Sequence, residues 1–167
     1  MPKTSSPRLP QHRDNAGELL HDAVNLRLLR ELQADPRISM SALGRRIGLS
    51  PPATTDRVQR MQRAGVIAGF RTEVDPAALG LPVAAFVRIR PAPGMLMKVA
   101  ELTKEIPQVV ECYRITGDDC FLMKIYVAAV DELEEVLDRF LLYGQTTSSI
   151  VQSSPVAPRP LPLPDRA

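Results

Sequence analysis

Cysteine is nearly missing from this chain: Cys112 and Cys120 are the two among 167 residues. A framework of disulfides is therefore excluded, and a reducing setting is expected. Histidine is as sparse, with His12 and His21 only. Their spacing with the two thiols matches no metal signature, so no metal ligands are assigned. Neither histidine stands beside a Ser or Cys in a nucleophile–base arrangement. Asp118-Asp119 is an acidic pair without a second cluster, so no catalytic residues are assigned either. There is also no run of 18 apolar residues, which speaks against a membrane span. The first 17 residues are rich in Pro, Ser, Arg and His and hold no apolar stretch, so they do not read as a secretory signal. A cytoplasmic protein is the plain expectation. What remains is enough for a core: 44% of the residues are hydrophobic, in a length that suits one domain or two small ones.

The charge is unevenly placed. Residues 41–71 hold Arg45, Arg46, Arg57, Arg60, Arg63 and Arg71 against one acid, Asp56, a net +5. The whole chain is +2, so the rest sums to −3. Basic charge gathered on one module is the footprint of a nucleic-acid partner. Local signals in the same stretch agree. Gly48 suits a helix C-terminus, Ser50 an N-cap and Pro51 the first helical position, where no amide hydrogen is needed. Two short helices joined by a tight turn follow, a helix-turn-helix whose second helix would enter the major groove of duplex DNA.

Four segments are expected. Residues 1–18 read as a disordered basic arm. Residues 19–75 form the helix-turn-helix domain. Its first helix runs from Asp22, a cap, to Gln33, with Val24, Leu28, Leu29 and Leu32 inward. The second helix follows Ser39 or Ser41 and buries Leu43 and Ile47. The third, Pro51 to Ala64, turns Thr54, Val58 and Met61 inward and Ala53, Asp56, Gln59, Arg60 and Arg63 outward, with Arg57 on the flank. Val66 to Val74 reads as a strand, a wing or a link. Residues 76–154 form a second domain, and 155–167 a Pro-rich, extended, solvated tail.

The second domain changes rhythm. Val83, Ala85, Val87 and Ile89 alternate with Ala84, Phe86, Arg88 and Arg90, the period of a strand. Gly94 to Ile106 has helical spacing, Val109 to Thr116 is extended, and Gly117-Asp118-Asp119 makes a turn. Cys120 to Ala128 is a strand, Asp131 to Leu142 a helix with Leu133, Val136, Leu137, Phe140 and Leu141 inward and Gly144 closing it, and Thr146 to Ser154 a last strand. The order β-α-β-β-α-β is the split, ferredoxin-like arrangement with both helices on one face of an antiparallel sheet. The other face would carry Phe86, Leu122 and Tyr126 among Arg88, Arg90 and Lys124. An apolar patch of that kind marks an interface, and a second copy would cover it in a two-fold homodimer.

Leu32-Gln-Ala-Asp-Pro-Arg-Ile-Ser, Leu43-Gly-Arg-Arg-Ile-Gly-Leu-Ser-Pro51, Arg57-Val-Gln-Arg-Met61 and Gly65-Val-Ile-Ala-Gly-Phe70 resemble the N-terminal half of the Lrp/AsnC, or feast/famine, regulators. Val110-Glu-Cys-Tyr-Arg-Ile-Thr-Gly-Asp118 and Tyr143-Gly-Gln-Thr-Thr-Ser-Ser-Ile-Val151 resemble their C-terminal half. The resemblance covers about 20–155 in order. It implies an α+β chain with an N-terminal winged helix-turn-helix and a C-terminal ferredoxin-like βαββαβ domain. It implies sheet-to-sheet dimers assembled into tetramers or octamers, no enzymatic activity, no cofactor, and a small effector, commonly an amino acid, held near the Gly117 turn. Two departures stand out. The family's turn is often Gly-Asp-aromatic-Asp, whereas Asp119 and Cys120 occupy the last two places here. Asn25 stands where the family commonly has Asp.

For double-stranded DNA, Ser50 and Arg57 are assigned to phosphates, and Pro52, Ala53, Thr55, Asp56, Gln59 and Arg60 to base edges. For the effector, Gly117 permits a tight turn whose amides can face a carboxylate, Asp118 or Asp119 would hold an ammonium group, and Thr146, Thr147 and Ser148 offer hydroxyls. A transcriptional regulator, cytoplasmic and nucleoid-associated, is the reading that results. An architectural DNA protein without an effector is the alternative; a metabolite-binding subunit of an enzyme is a third.

Overall fold

The computed structural model describes residues 14–164. Two units make it up: one from the N-terminal part to Thr72 together with residues from Pro158 on, the other Glu73–Ala157.

In the first unit three of the four described helices begin where a short polar side chain takes up free amides. Helix α1 spans Asp14–Leu19, α2 Ala23–Ala34, α3 Met40–Ile47 and α4 Pro51–Arg63. The Asp22 carboxylate accepts from the amides of Val24 (2.8 Å) and Asn25 (3.4 Å) ahead of α2. Ser39 caps α3 through the amide of Ala42 at 3.2 Å. Ser50 caps α4 through Ala53, and Gly48 ends α3 in the left-handed region at φ 77°. Leu28, Leu29, Leu32, Ile38, Leu43, Ile47, Val58 and Met61 form one buried cluster. Removing each such side chain from water contributes about 1.5–3 kcal/mol.

Gly44 sets how closely α3 meets the turn. A Cβ there would sit 2.6 Å from the Leu49 carbonyl oxygen and 2.9 Å from Thr54 Oγ1. Glycine inside a helix costs about 0.5–1 kcal/mol relative to Ala. Here the close approach of backbone demands it.

The second unit is a four-stranded antiparallel sheet in the order β2-β3-β1-β4, with β1 Val83–Pro91, β2 Val109–Arg114, β3 Phe121–Val127 and β4 Gly144–Ile150. Helices α5 (Leu96–Glu105) and α6 (Val130–Asp138) supply Val99, Leu133 and Val136 to the core. Ala85, Val87 and Ile89 of β1 and Phe121, Met123, Ile125 and Val127 of β3 face them. The strand period decides which side chains these are, because alternate residues leave a sheet on opposite sides.

Several expectations are corrected. Residues 14–18 of the anticipated arm are helical, in α1; the rest of that arm lies outside the described residues. Val66–Val74 forms no strand and serves as the link between the two units. The last helix ends at Asp138 rather than Leu142. Phe140 and Leu141 donate three residues back, to Leu137 and Asp138. That tighter turn rotates Leu141 outward, leaving it 64% exposed. Gly144 opens β4 instead of closing the helix, and a Cβ there would meet the Arg90 carbonyl oxygen at 2.3 Å. The strand expected over Cys120 to Ala128 runs Phe121–Val127, so Cys120 precedes it while Cys112 lies on β2.

Gly44→Ala should destabilise the first unit by about 1–3 kcal/mol although alanine is the better helix former, because backbone must move to admit the methyl group. Gly17→Ala, in α1 with nothing within 4 Å of the new carbon, should be neutral or stabilise slightly. Urea unfolding followed by circular dichroism compares the two; equal effects would refute the close-approach argument.

Candidate nucleic-acid interface and ligand turn

The face of α4 follows from its burial. Thr54, Val58 and Met61 turn inward, at the spacing of one helical stripe. Pro52, Ala53, Asp56, Gln59 and Arg60 are all exposed together on the opposite side. The Arg60 side chain makes no hydrogen bond or ion pair among the described residues, and its carbonyl accepts from the Ala64 amide. Ser50, exposed, already accepts from the Ala53 amide at 3.4 Å. Thr55 is half-buried, and its hydroxyl donates to the Pro51 carbonyl at 3.0 Å, so it stands apart from the exposed stripe. Asp56 and Arg63 are 4.0 Å apart and more than 60% exposed, a pair of little energetic weight.

Arg57 is different. Its guanidinium pairs with the Asp22 carboxylate and donates to Asn25 Oδ1 at 2.8 Å. Asn25, only 2% exposed, in turn donates to the Leu19 carbonyl at 2.9 Å. Within this chain the charge of Arg57, assigned above to a phosphate, ties α4 to the start of α2. The same Asn25 that departs from the family's usual Asp serves as donor and acceptor at once, which a carboxylate does not. The Arg57 hydrogen bond is the main cause holding the Asp22 carboxyl below its ordinary range, against a smaller opposing effect of burial and with help from the Val24 amide. Beside this tie lies a cleft of about 530 Å³ lined by Asp22, Asn25, Arg57, Arg60 and Arg63. From sequence spacing alone Asp22 is only a cap, because its second partner is 35 residues away.

In the second unit the Gly117 turn, at φ 106°, is closed by the Ile115 amide donating to the Cys120 carbonyl at 3.0 Å. Its two acids meet two arginines of β1. Arg90 lies 3.3 Å from Asp118 and 3.6 Å from Asp119, and Arg88 3.8 Å from Asp119. Asp118 is 84% exposed and Asp119 25%. In the ladder Thr147 pairs with Arg88, whereas Thr146 pairs with buried Ile89 and Ser148 with buried Val87. Partners across an antiparallel ladder share a face. Thr147 thus belongs with the arginines, and Thr146 and Ser148 lie on the opposite side of the sheet. The six residues assigned to an effector do not share one face. Arg88 and Arg90, placed by alternation on that open face, were not assigned to it.

Two family models match the chain: a winged helix-turn-helix DNA-binding model over residues 21–68 and the Lrp/AsnC ligand binding domain over 84–161. The HTH-type transcriptional regulator LrpC of Bacillus subtilis is 33% identical over 132 residues, 79% of this chain and 92% of LrpC. The chain belongs to the Lrp/AsnC family. Its Lrp/AsnC relatives also include the leucine-responsive regulatory protein of Escherichia coli, 32% identical over 72% of this chain and 76% of that one. The solved structure of B. subtilis LrpC superposes with a TM-score of 0.75 over 80% of this chain and 95% of LrpC, at 33% identity. That of a feast or famine regulatory protein from Mycobacterium tuberculosis, complexed with L-methionine, superposes with 0.78 over 86% and 99%, at 32% identity. Lrp/AsnC proteins are DNA-binding transcriptional regulators rather than enzymes, and the α+β fold of this chain is theirs.

Arg57→Ala should lower the stability of the first unit by about 1–3 kcal/mol, because it leaves the buried Asn25 Oδ1 without its donor. A residue reserved for phosphate would leave stability unchanged. The Asp22 carboxyl has a folded pKa below its unfolded value, so its contribution is complete above about pH 4 and is lost as pH falls through the folded value. Between pH 7 and pH 3 the urea midpoint of Asp22→Asn should therefore fall less than that of the unchanged chain.

Proposed function

We propose that this protein is a sequence-specific DNA-binding transcriptional regulator that works as a homodimer, assembled further into tetramers or octamers, and whose DNA binding or assembly responds to an amino acid. The observation that carries the DNA reading is the exposed stripe Pro52, Ala53, Asp56, Gln59 and Arg60 on a capped α4, within a segment of net +5. An arginine can give two hydrogen bonds to guanine, worth about 1–3 kcal/mol of discrimination. Ser50, at the helix N-terminus, would take a phosphate, which helix N-termini favour. Thr55, half-buried with its hydroxyl donating to the Pro51 carbonyl, would contribute less to base contacts than that stripe.

The dimer reading rests on the open face of the sheet. Phe86 is 41% and Tyr113 45% exposed there, with Leu122 and Tyr126 half-buried. Lys124 covers the Tyr126 ring at 5.2 Å. An apolar centre ringed by Glu111, Arg88 and Lys124 has the anatomy of an interface. Two-fold symmetry would then require an imperfectly palindromic DNA site, with half-sites about one helical turn or a multiple apart.

The effector reading is supported by the L-methionine bound to the M. tuberculosis relative and by the Gly117 turn. A free amino acid carries one carboxylate and one ammonium group. Arg88, Arg90, Asp118 and Asp119 offer complementary charges for both, and their mutual distances of 3.3–3.8 Å are loose enough for a ligand to replace them. Thr147 shares their face. Coupling to DNA binding would be about 1–3 kcal/mol. No described helix is long and apolar enough to cross a membrane, and the working site would be the cytoplasm, at the nucleoid.

Arg60→Ala should weaken binding to the DNA upstream of the protein's own coding region far more than to random duplex, in gel-shift titrations at matched salt. Equal losses on both would remove the base-reading role. In a thermal-shift panel of the amino acids, a true effector at 100 times its dissociation constant should add about 2.7 kcal/mol. Sequence-selective DNA binding with no shift from any amino acid would favour an architectural, effector-independent protein instead.

A further inference from the structure

The proline-rich end of the chain was expected to be solvated, yet its described residues 158–164 belong with the first unit. Gln33 Nε2 donates to the Leu161 carbonyl at 3.1 Å, and Arg30 donates to the Pro164 carbonyl at 3.3 Å. Leu163, between them, is half-buried against the cluster that contains Leu28, Leu29 and Leu32. Gln33 meets the earlier tail residue and Arg30 the later one, so the segment runs antiparallel to α2. The spacing is matched on both sides. Arg30 and Gln33 are three apart on one helix face, and Leu161 and Pro164 are one turn of an extended polyproline helix apart.

The chemistry is matched as well. Leu161-Pro162-Leu163-Pro164 offers four carbonyls but only two amide hydrogens, so it is an acceptor-rich strip laid against long-chain donors. Its prolines fix φ in advance, which lowers the entropy lost on docking. Residues beyond 161 lie outside both family matches.

We propose that the α2 face carrying Arg30 and Gln33 is a docking surface for an extended proline-rich segment, and that its occupant is this chain's own C-terminal tail, acting as a strap on the DNA-binding unit. With the strap in place, Pro52, Ala53, Asp56, Gln59 and Arg60 of α4 stay exposed. The strap is therefore a brace and not a plug over the DNA-facing helix. It stands whether or not α4 reads sequence.

Hydrogen exchange measured by mass spectrometry on the full chain tests this. Leu163→Ser, and separately a chain ended after Ser154, should raise exchange across residues 23–34 about fivefold, the effect of losing a typical net hydrogen bond. Residues 96–105 of the second unit should be unchanged. A synthetic peptide of residues 155–167, added in excess to the shortened chain, should restore protection over 23–34. Unaltered exchange over 23–34 in both variants would overturn the proposal. Protection in the full chain that fades on dilution would assign the site to the tail of a second copy, and would overturn the assignment to the same chain.

Discussion

The pairing of Arg57 with Asp22 and Asn25 is the interaction on which the presentation of α4 depends. A helix packed only by Thr54, Val58 and Met61 has an apolar seat, and apolar contact is non-directional. It resists withdrawal more than it resists rotation. A guanidinium held by a carboxylate and an amide oxygen adds a directional constraint on the flank of the same helix. With the stripe of small and charged residues opposite the seat, rotation of a few tens of degrees would carry Arg60 from the exposed side to the flank. Burial gives α4 its adhesion, and the polar tie gives it its angle. The pair is half-exposed, at 28% for Arg57 and 35% for Asp22, so its value lies more in orientation than in net stability.

Asp22 has two tasks that reinforce one another. Its carboxylate caps α2 through the Val24 and Asn25 amides while facing the guanidinium. Each donor favours the ionised form, and the ionised form is the better acceptor for each. Asn25 sits beneath with no charge of its own, 2% exposed and satisfied on both sides, by Leu19 and Arg57. A second carboxylate in that buried place would add a desolvation cost with one cation to offset two anions. The departure at Asn25 is thus compatible with a well-satisfied local network, and among the described residues no buried side-chain polar atom lacks a partner.

What could be read in the sequence divides by distance along the chain. The caps at Asp22, Ser39 and Ser50 and the stop at Gly48 are local, involving partners within a few residues, and sequence spacing alone carries them. The β-α-β-β-α-β order was legible for the same reason: period 2 in Val83–Arg90 and Phe121–Val127 differs sharply from the helical period of the intervening segments. The Arg57–Asp22 tie was not legible, because nothing local distinguishes an arginine aimed at a remote carboxylate from one aimed at a phosphate. Thr146, Thr147 and Ser148 look equivalent in a row, and only the register against Ile89, Arg88 and Val87 separates them. The end of α6 failed differently. Leu141 fits a helical stripe, but the last turn tightens, and the stripe no longer describes where that side chain points.

The sheet shows how one periodicity sets two surfaces at once. Moving β1 by one residue would place Phe86, Arg88 and Arg90 in the core and Val87 and Ile89 outside, at the cost of burying two guanidinium groups. The register is fixed from the inside, by apolar burial, yet it determines the outside: which arginines reach Asp118 and Asp119, and which aromatic residue lies at the centre of the open face. The acidic turn is then positioned by the strand it faces. Cys120 donates its amide to the Ile89 carbonyl at 2.9 Å, so the turn's exit is tied to the residue between Arg88 and Arg90. A shift that disturbed the Ile89 packing would move the tie and both ion pairs together. The charge cluster on the open face is therefore mechanically continuous with the hydrophobic core beneath it.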